Sequence, residues 1–277
     1  MSSVEGGFSD MYHFGFSPRV LQGHLDFLIL LALKAGWFLK EKRKQPIEKS
    51  WKARRDFTTS VDVECDAFLR KEIEDKYPQY SIISEEAKDL DKGSPVKVVI
   101  DPIDGTIPYT TFINEHWGVC LGVCFQRVPI IGVIYAPGRE QMYYAAFGLG
   151  AFVNGVRIQV SSETDVNRMF MGVDPGKENK EAYVQYIARL MKPDGIVTAL
   201  QGGCASGPMC FVAEGKIHAY LATSLNPEDI AAAAIIAHEA GAKVSTVDGR
   251  DWLLGEPSIL MANPVLHAKL LEMFKSH

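Results

Sequence analysis

The ten residues from Lys97 to Thr106, KVVIDPIDGT, constrain the structure of this chain more than any other segment. The first half is a short apolar stretch rich in β-branched residues, which predicts a buried strand. The residue types that follow are typical of a tight turn. Such a turn holds Asp101 and Asp104 close together in an apolar setting, where two carboxylates repel each other unless a cation lies between them. Because hard cations such as Mg²⁺ prefer oxygen ligands, the segment predicts a metal site suited to phosphate chemistry.

The composition is that of a soluble globular protein. The chain has 277 residues, 47% of them hydrophobic and 23% charged, and is long enough to bury a full core as one large domain or two joined halves. The net charge of −5 gives no excess of Lys and Arg, so we expect no nucleic-acid partner. An odd number of cysteines without the paired spacing of a zinc site predicts free thiols in a reducing compartment: Cys65, Cys120, Cys124, Cys204 and Cys210.

The longest apolar run, Leu25–Leu33, predicts a core helix. Asp26 interrupts it and Lys34 closes it, and the run is too short to cross a bilayer. No basic segment precedes it and no small-residue cleavage site follows it, as a secretory signal would require. We therefore expect a cytoplasmic protein without a membrane partner.

Hydrophobic periodicity predicts an α+β arrangement in the first part of the chain. Helices are expected over residues 21–43 and 61–77, the second ended by Pro78. Between residues 117 and 160, short apolar segments alternate with turns, and Asn154-Gly155 is a strong hairpin signal. These segments predict an antiparallel sheet.

From Lys180 onward, helices and strands are predicted to alternate, which indicates an α/β arrangement. The predicted elements are helices over 181–191, 208–214 and 227–240 and strands over 195–199, 218–221 and 243–246. We therefore predict two parts: an N-terminal α+β half over residues 1–155 and a C-terminal α/β half over residues 156–277.

Two further acidic clusters accompany the Asp pair. Glu85 and Glu86 follow a short apolar segment, and Asp229 follows Asn226-Pro227 at a predicted helix start. Each cluster has a simpler explanation when taken alone. Adjacent glutamates are typical of a solvated loop, Pro-x-Asp-Gly of a β-turn, and an acidic residue in a first helical turn of capping. Taken together, the carboxylates favour convergence on two or three cations.

The residues after the Asp pair suit phosphate binding. Gly105 has no side chain, so a phosphate can approach the backbone N–H groups closely. Thr106 offers a hydroxyl that can orient a water molecule. Both residue types therefore fit a site at which a phosphate ester meets water.

These motifs resemble those of the inositol monophosphatase family, in an order and spacing that hold over nearly the whole chain. The matching residues are Leu33–Gly36, Glu85-Glu86, Asp101–Thr106, Gly148–Gly155, Asp229 and Glu239–Gly241. The resemblance implies an α-β-α-β-α layered sandwich of the inositol monophosphatase and fructose-1,6-bisphosphatase type. It also implies Mg²⁺-dependent hydrolysis of a small phosphorylated metabolite, a homodimer and inhibition by Li⁺.

The resemblance also implies a role for each site residue. The first metal ion would be held by Glu85, Asp101 and the backbone carbonyl of Ile103, and the second by Asp101, Asp104 and Asp229. Glu85, Asp62 and Thr106 would be catalytic, with Asp62 hydrogen-bonded to Thr106 in a dyad that positions the attacking water. Substrate binding would fall to Gly105, Thr106, Gly203, Cys204, Ala205 and Asp229. Taken alone, Asp62 has a simpler explanation as a capping residue at a helix start.

Three positions depart from the family pattern and bear on the substrate. Ile107-Pro108-Tyr109 stands where the family usually has a residue followed by Asn-Phe, and Glu228 replaces a tryptophan. Ala222 stands where the family has the glutamate that binds inositol. Losing a side chain that accepts a hydrogen bond from a substrate hydroxyl can change the preferred substrate. Inositol monophosphate is therefore the default, with fructose 1,6-bisphosphate, a 3′-phosphonucleotide and histidinol phosphate as alternatives.

Two other hypotheses stay open. Hydrolysis through an aspartyl-phosphate, as in the haloacid dehalogenase group, needs two aspartates two residues apart, whereas Asp101 and Asp104 are three apart with Pro102 between them. A non-catalytic protein that binds metal or phosphate could have lost any one ligand, whereas this chain keeps every ligand that the resemblance implies.

Overall fold

A computed structural model describes residues 10–53, 56–176, 178, 180–193 and 195–275. The helices that build its layers are α1 (Pro18–Lys42), α2 (Ser60–Lys76), α3 (Thr106–Thr111), α4 (Lys180–Leu190), α5 (Ser206–Ala213), α6 (Pro227–Glu239) and α7 (Pro264–Lys275). The strands of the first part are β1 (Lys49–Ala53), β2 (Asp56–Thr59), β3 (Ser81–Ser84), β4 (Val96–Asp104), β5 (Gly118–Phe125), β6 (Val128–Ala136), β7 (Gln141–Ala146), β8 (Gly150–Val153) and β9 (Val156–Arg157). The remaining strands are β10 (Phe170–Asp174), β11 (Thr198–Leu200), β12 (Ala219–Ala222), β13 (Lys243–Ser245) and β14 (Ile259–Ala262).

The first large sheet has seven strands in the order β3-β4-β5-β6-β7-β8-β9. β3 runs parallel to β4, and the other neighbours pair antiparallel. The antiparallel sheet predicted over residues 117–160 is therefore confirmed, including the hairpin at Asn154-Gly155. Its last strand is shorter than predicted and ends at Arg157. Val160 has left the sheet by then, since its N–H donates to the carbonyl oxygen of Ala240 (N···O 3.0 Å).

α1 and α2 cover one face of this sheet, where the periodicity of the sequence predicts two helices. α1 begins at Pro18, whose missing N–H is not needed in the first turn, and Ser17 caps it. By length and composition α1 could cross a membrane. One of its faces, which includes Leu21, Leu28 and Leu39, is nevertheless buried in the protein. This burial is compatible with the predicted core helix of a soluble protein.

The second large sheet has five strands in the order β11-β10-β12-β14-β13. α5 and α6 lie between the two sheets, and α4 and α7 cover the outer face of the second. α6 approaches the first sheet closely because its buried face is a run of alanines: a Cβ added at Gly132 in β6 would lie 2.2 Å from the carbonyl oxygen of Ala232. The layers confirm the predicted α-β-α-β-α sandwich.

Several elements are not predicted from the sequence. These are the two-stranded sheet of β1 and β2, the strands β10 and β14, and the helices α3 and α7. The strand predicted over 195–199 is wrong in position, since the strand there is β11 (Thr198–Leu200). The N–H of Ile196 donates to the carbonyl oxygen of Leu190 (N···O 2.9 Å) and closes the turn after α4 instead. The division into residues 1–155 and 156–277 stays a prediction.

Candidate metal and phosphate site

β4 ends in the two carboxylates that the sequence analysis singles out. Asp101 and Asp104 are 1% and 5% exposed. Between them the pairing of β4 with β5 is interrupted, in keeping with the missing N–H of Pro102. The N–H of Ile103 donates to Asp101 Oδ1 (N···O 2.9 Å). The sequence predicts a tight turn that holds both aspartates, but β4 continues through Asp104. The end of this strand, with its interrupted pairing, therefore keeps both carboxylates buried, and the turn follows only at Gly105.

Asp104 also joins the first sheet to the helix layer between the sheets. Its Oδ1 accepts a hydrogen bond from the N–H of Ala205 (3.0 Å), and its Oδ2 accepts one from the N–H of Ser206 (2.7 Å) at the start of α5. Burial raises the pKa of Asp104, and hydrogen bonds from Ser206 and Ala205 oppose that rise. The segment that contains Ala205 is thereby held next to the end of β4.

Asp229 lies in the first turn of α6, where its Oδ2 accepts a hydrogen bond from the N–H of Asn226 (2.8 Å). Ligand oxygens of Asp101, Asp104 and Asp229 lie within 4.8 Å of one another. Asp229 therefore caps its helix and joins the cluster at the same time. The capping explanation and the metal prediction do not exclude each other.

Asp101 gives the clearest sign that the cluster fits a cation. Its Oδ2 is buried and has no hydrogen-bond partner within the described part of the chain, which is unfavourable for a carboxylate. Burial, followed by the carboxylates of Glu85, Asp104, Asp229 and Asp62, raises the pKa of Asp101 well above its ordinary range. A divalent cation would satisfy the unpaired oxygen and offset the repulsion. The donor set thus fits a hard metal ion such as Mg²⁺.

Glu85 reaches the same edge of the sheet because β3 runs parallel to β4. Its N–H donates to the carbonyl oxygen of Ile100 (N···O 3.3 Å), and the residue lines the same cavity as Asp101. Glu86 lies outside the described cavity lining, and its Oε2 accepts a hydrogen bond from Thr58 Oγ1 (2.8 Å). The structure thus places Glu85 in the lining of the cavity with the Asp pair, and Glu86 in contact with Thr58 outside that lining.

Asp62 and Thr106, predicted as a dyad, are neighbours in space. Thr106 Oγ1 lies 3.4 Å from Asp62 Oδ1 and 3.3 Å from the carbonyl oxygen of Ile103. Asp62 Oδ2 accepts hydrogen bonds from the N–H and the hydroxyl of Thr59 in the capping box of α2. Burial raises the pKa of Asp62 to about 6, against the opposing effect of the Thr59 side chain. Asp62 therefore caps α2 and also contacts the Thr106 hydroxyl.

Gly105 makes the turn after β4 possible. Its φ is +89°, and a Cβ there would lie 2.6 Å from the carbonyl oxygen of His116 and 2.9 Å from Cys204 Cβ. The predicted substrate residues all line one cavity: Gly105, Thr106, Gly203, Cys204, Ala205 and Asp229. Burial, followed by the Asp104 carboxylate, raises the pKa of the Cys204 thiol well above its ordinary range, which disfavours the thiolate form that a nucleophilic cysteine needs.

The cavity has a volume of about 600 Å³ and is lined by every predicted site residue except Asp62, which lies behind Thr106. Ile107, where the sequence departs from the family pattern, also lines the cavity. Several other lining residues were not among the predicted site residues: Phe57, Asp174, Gly176, Glu178, Lys180, Ser224, Leu225, Asn226 and Pro257. A signal for one of them was available. Val173-Asp174-Pro175 repeats the apolar–Asp–Pro pattern of Ile100-Asp101-Pro102 at the end of a strand.

The fold and the site together define a class of protein: a layered sandwich of helices and sheets with buried carboxylates, suited to a metal ion, at the wall of an open cavity. The sequence model of the inositol monophosphatase family matches residues 21–277. The chain belongs to the inositol monophosphatase family.

Individual relatives agree with this assignment. A SuhB protein of Neisseria meningitidis serogroup B is 32% identical over 82% of this chain and 87% of its own length. The Nus factor SuhB of Escherichia coli K12 is 30% identical over 90% of this chain and 95% of its own length. The inositol monophosphatase of Anabaena sp. PCC 7120 has a similar structure, with a TM-score of 0.80, 26% identity and coverage of 92% of this chain and 96% of that protein. The chain is thus similar both to proteins named as phosphatases and to proteins named as Nus factors.

Proposed function

We propose that the protein is a Mg²⁺-dependent phosphomonoesterase that uses water to hydrolyse a small phosphorylated metabolite. The observation that carries the proposal is the convergence of Asp101, Asp104 and Asp229 within 4.8 Å, beside an Asp101 oxygen that lacks a partner within the described residues. Membership of a family that is generally Mg²⁺-dependent supports it.

Two or three ions would be held by the chain's oxygen atoms. Glu85, Asp101 and the Ile103 carbonyl would hold the first, and Asp101, Asp104 and Asp229 the second. When bound, Mg²⁺ supplies Lewis-acid stabilisation of phosphate oxygens and lowers the pKa of water. Because Asp104 also accepts two backbone hydrogen bonds, its oxygens are fixed in place before any ion binds.

The Asp62–Thr106 pair would orient the attacking water. The Thr106 hydroxyl would donate a hydrogen bond to Asp62 Oδ1 and use its own oxygen to accept one from a water in the cavity that Thr106 lines. Glu85, which lines the same cavity, would accept a second hydrogen bond from that water. This arrangement needs no covalent phosphoenzyme.

The phosphate would be held by backbone N–H groups. Those of Ala205 and Ser206 are used by Asp104, so we assign this role to the N–H groups of Gly105 and Thr106. Gly203, Cys204 and Ala205 shape the adjoining wall of the cavity. With Asp229, this wall would enclose the ester bond and the alcohol that leaves.

Inositol monophosphate is the default substrate. Three alternatives remain, because Ala222 cannot accept the hydrogen bond from a substrate hydroxyl that the family's glutamate accepts at this position. They are fructose 1,6-bisphosphate, a 3′-phosphonucleotide and histidinol phosphate. The net charge of −5 also favours a small phosphorylated metabolite over nucleic acid.

The experiment that tests the proposal is phosphate release from a panel of esters, with Mg²⁺ and with EDTA. The panel contains inositol 1-phosphate, fructose 1,6-bisphosphate, 3′-phosphoadenosine 5′-phosphate, histidinol phosphate and p-nitrophenyl phosphate. Mg²⁺-dependent release from at least one ester, abolished by EDTA, is expected. Release that EDTA leaves unchanged, or no release from any ester, would contradict the proposal.

A second candidate is a binding role without catalysis, favoured by the 30% identity to a protein named Nus factor SuhB. It predicts that the folded protein binds Mg²⁺ but releases no phosphate from any ester of the panel. The two candidates thus differ in the same experiment.

We also propose a cytoplasmic homodimer that is inhibited by Li⁺, on the strength of the family resemblance. Light scattering of the purified protein would give its mass in solution, and a dimer of the 30.6-kDa chain is expected. Li⁺ is expected to lower phosphate release in the assay above.

A further inference from the structure

A half-buried acidic side chain lines the cavity outside the carboxylate cluster. Asp174 is the last residue of β10, which runs parallel to β12 and pairs Asp174 with Ala222. Asp174 lines the cavity together with the cluster, but it is not in the set of carboxylates whose oxygens converge within 4.8 Å. It is therefore placed to contact a ligand without being part of the candidate metal site.

The backbone around Asp174 fixes the direction of its carboxylate. Asp174 Oδ1 accepts a hydrogen bond from the N–H of Gly176 (2.7 Å). Gly176 has a φ of +63°, and a Cβ there would lie 1.7 Å from the carbonyl oxygen of Ser224. No larger residue fits, so the turn after β10 packs directly on the loop that leads into α6. Such a pre-fixed acceptor is what a specific binding site requires.

Charges around Asp174 also suit a ligand contact. Asp174 contributes to the raised pKa of Asp104, so the two carboxylates lie close enough to interact. Burial raises the pKa of Asp174, and the Lys180 ammonium opposes that rise. Within the described cavity lining, Lys180 is the only basic side chain. Its charge is therefore the basic group of this wall that opposes the effect of burial on Asp174, alongside the hydrogen bond from the Gly176 N–H.

We propose that Asp174 accepts a hydrogen bond from a hydroxyl group on the alcohol part of the substrate, so that the site selects phosphate esters of polyols or sugars. The inference rests on the proposed phosphatase function and assigns its specificity to this residue. The physical reason is that an ester without a suitable hydroxyl would exclude water from a partly buried carboxylate and offer it no hydrogen-bond donor in return. The Ala222 methyl on the neighbouring strand offers no acceptor of its own.

The test compares two esters in three variants. The esters are p-nitrophenyl phosphate, whose leaving group has no free hydroxyl, and whichever of inositol 1-phosphate and fructose 1,6-bisphosphate the wild type hydrolyses faster. The variants are Asp174→Asn, Asp174→Ala and Glu181→Gln. Glu181 is an exposed acidic residue in the first turn of α4, outside the described cavity lining, and serves as the control for loss of one charge. Circular dichroism and thermal unfolding verify that each variant folds.

Asp174→Ala is expected to lower kcat/KM for the hydroxylated ester about 10- to 100-fold more than for p-nitrophenyl phosphate, since a hydrogen bond to a charged group contributes this much. Most of this change is expected in KM. For Asp174→Asn, the ratio of kcat/KM for the two esters is expected to lie between those of wild type and Asp174→Ala. Glu181→Gln is expected to keep the wild-type ratio. An unchanged ratio in folded Asp174→Ala would overturn the inference. Absence of Mg²⁺-dependent release from both esters would instead overturn the proposed function.

Discussion

Asp62 and Asp229 occupy the same position in their helices, the third residue, and each accepts a hydrogen bond from the backbone N–H of its N-cap residue. Asp62 also contacts the Thr106 hydroxyl of the candidate site. Asp229 also belongs to the carboxylate cluster. A substitution at either residue therefore removes a helix cap as well as a site group. Residues without a capping role give cleaner tests.

Thr106 is such a residue. We predict that Thr106→Val lowers kcat about 100-fold, because general-acid–base and water-positioning groups contribute this much or more, and that KM changes little. Thr106→Ser keeps the hydroxyl near Asp62 Oδ1, from which Thr106 Oγ1 lies 3.4 Å away, and is expected to retain most of the activity. Steady-state kinetics with the preferred ester give kcat and KM for the two variants. Equal loss in the Ser and Val variants would show that the hydroxyl is not what matters.

At the scale of elements, the end of α1 is tied to the segment that follows the site turn. Arg43 follows α1, and its side chain is 9% exposed. It donates to the carbonyl oxygens of Tyr109 (2.8 Å) and Pro108 (3.0 Å) and to Glu115 Oε2 (2.6 Å), and its guanidinium lies 4.2 Å from the Phe112 ring centroid. The short helix α3, which begins at Thr106, is thereby anchored to α1.

We predict that Arg43→Lys lowers the free energy of unfolding by about 2–3 kcal/mol, because an ammonium cannot replace a planar group that donates to three acceptors and stacks on a ring. It is also expected to lower kcat, since α3 carries Thr106. The control is Lys44→Ala, an exposed residue in an i,i+3 pair with Glu41, expected to change stability by less than about 1 kcal/mol. Chemical denaturation measures the free energy of unfolding of both variants. Equal losses of stability in Arg43→Lys and Lys44→Ala would contradict the anchoring of α3 by Arg43.

The close approach of α6 to the first sheet gives a second prediction for elements. Gly132→Ala is expected to lower the free energy of unfolding by about 1–3 kcal/mol, because the added Cβ would lie 2.2 Å from the Ala232 carbonyl oxygen. Gly23→Ala is the matched control: Gly23 lies in α1 and has no atom within 4 Å of an added Cβ. It is expected to stabilise the protein by up to about 1 kcal/mol. Equal and small effects of the two substitutions would contradict the tight packing of this layer.

Elements were predictable where an apolar pattern and an end signal coincide. Asn226-Pro227 predicts the start of α6 correctly. Asn263-Pro264 has the same form and begins α7, where Asn263 Oδ1 accepts from the N–H of Leu266 (3.0 Å), so that helix was predictable from its first residues. β1 was not predictable, because its sequence KSWKA has a single large apolar residue, and that residue, Trp51, is 70% exposed.

At the scale of the whole molecule, the candidate site lies where the layers meet. Asp101 and Asp104 end a strand of the first sheet, Asp229 begins a helix of the middle layer, and Asp174 ends a strand of the second sheet. The sequence predicts the first three as metal ligands because each follows a recognisable strand end or helix start. It does not predict the distances between them, since those depend on how closely α6 packs on the first sheet. Asp174 was missed for the same reason: its position relative to the others follows from the register of β10 with β12.

The most direct test of the account is to measure phosphate release as Mg²⁺ is titrated into EDTA-treated wild type and Asp101→Asn. The Asn side chain keeps an oxygen that can accept the hydrogen bond from the Ile103 N–H. The other carboxylate oxygen, Asp101 Oδ2, has no hydrogen-bond partner within the described residues, so its replacement breaks no described hydrogen bond. Asp75→Asn, an exposed change on α2, is the control.

We predict that Mg²⁺ restores phosphate release to wild type and to Asp75→Asn but leaves Asp101→Asn at least about 100-fold slower at every Mg²⁺ concentration. We also predict that Asp101→Asn is as stable as wild type, or more so, when no metal is present, because one buried charge has been removed. Near wild-type turnover in a folded Asp101→Asn variant would contradict the assignment of the carboxylate cluster as a catalytic metal site.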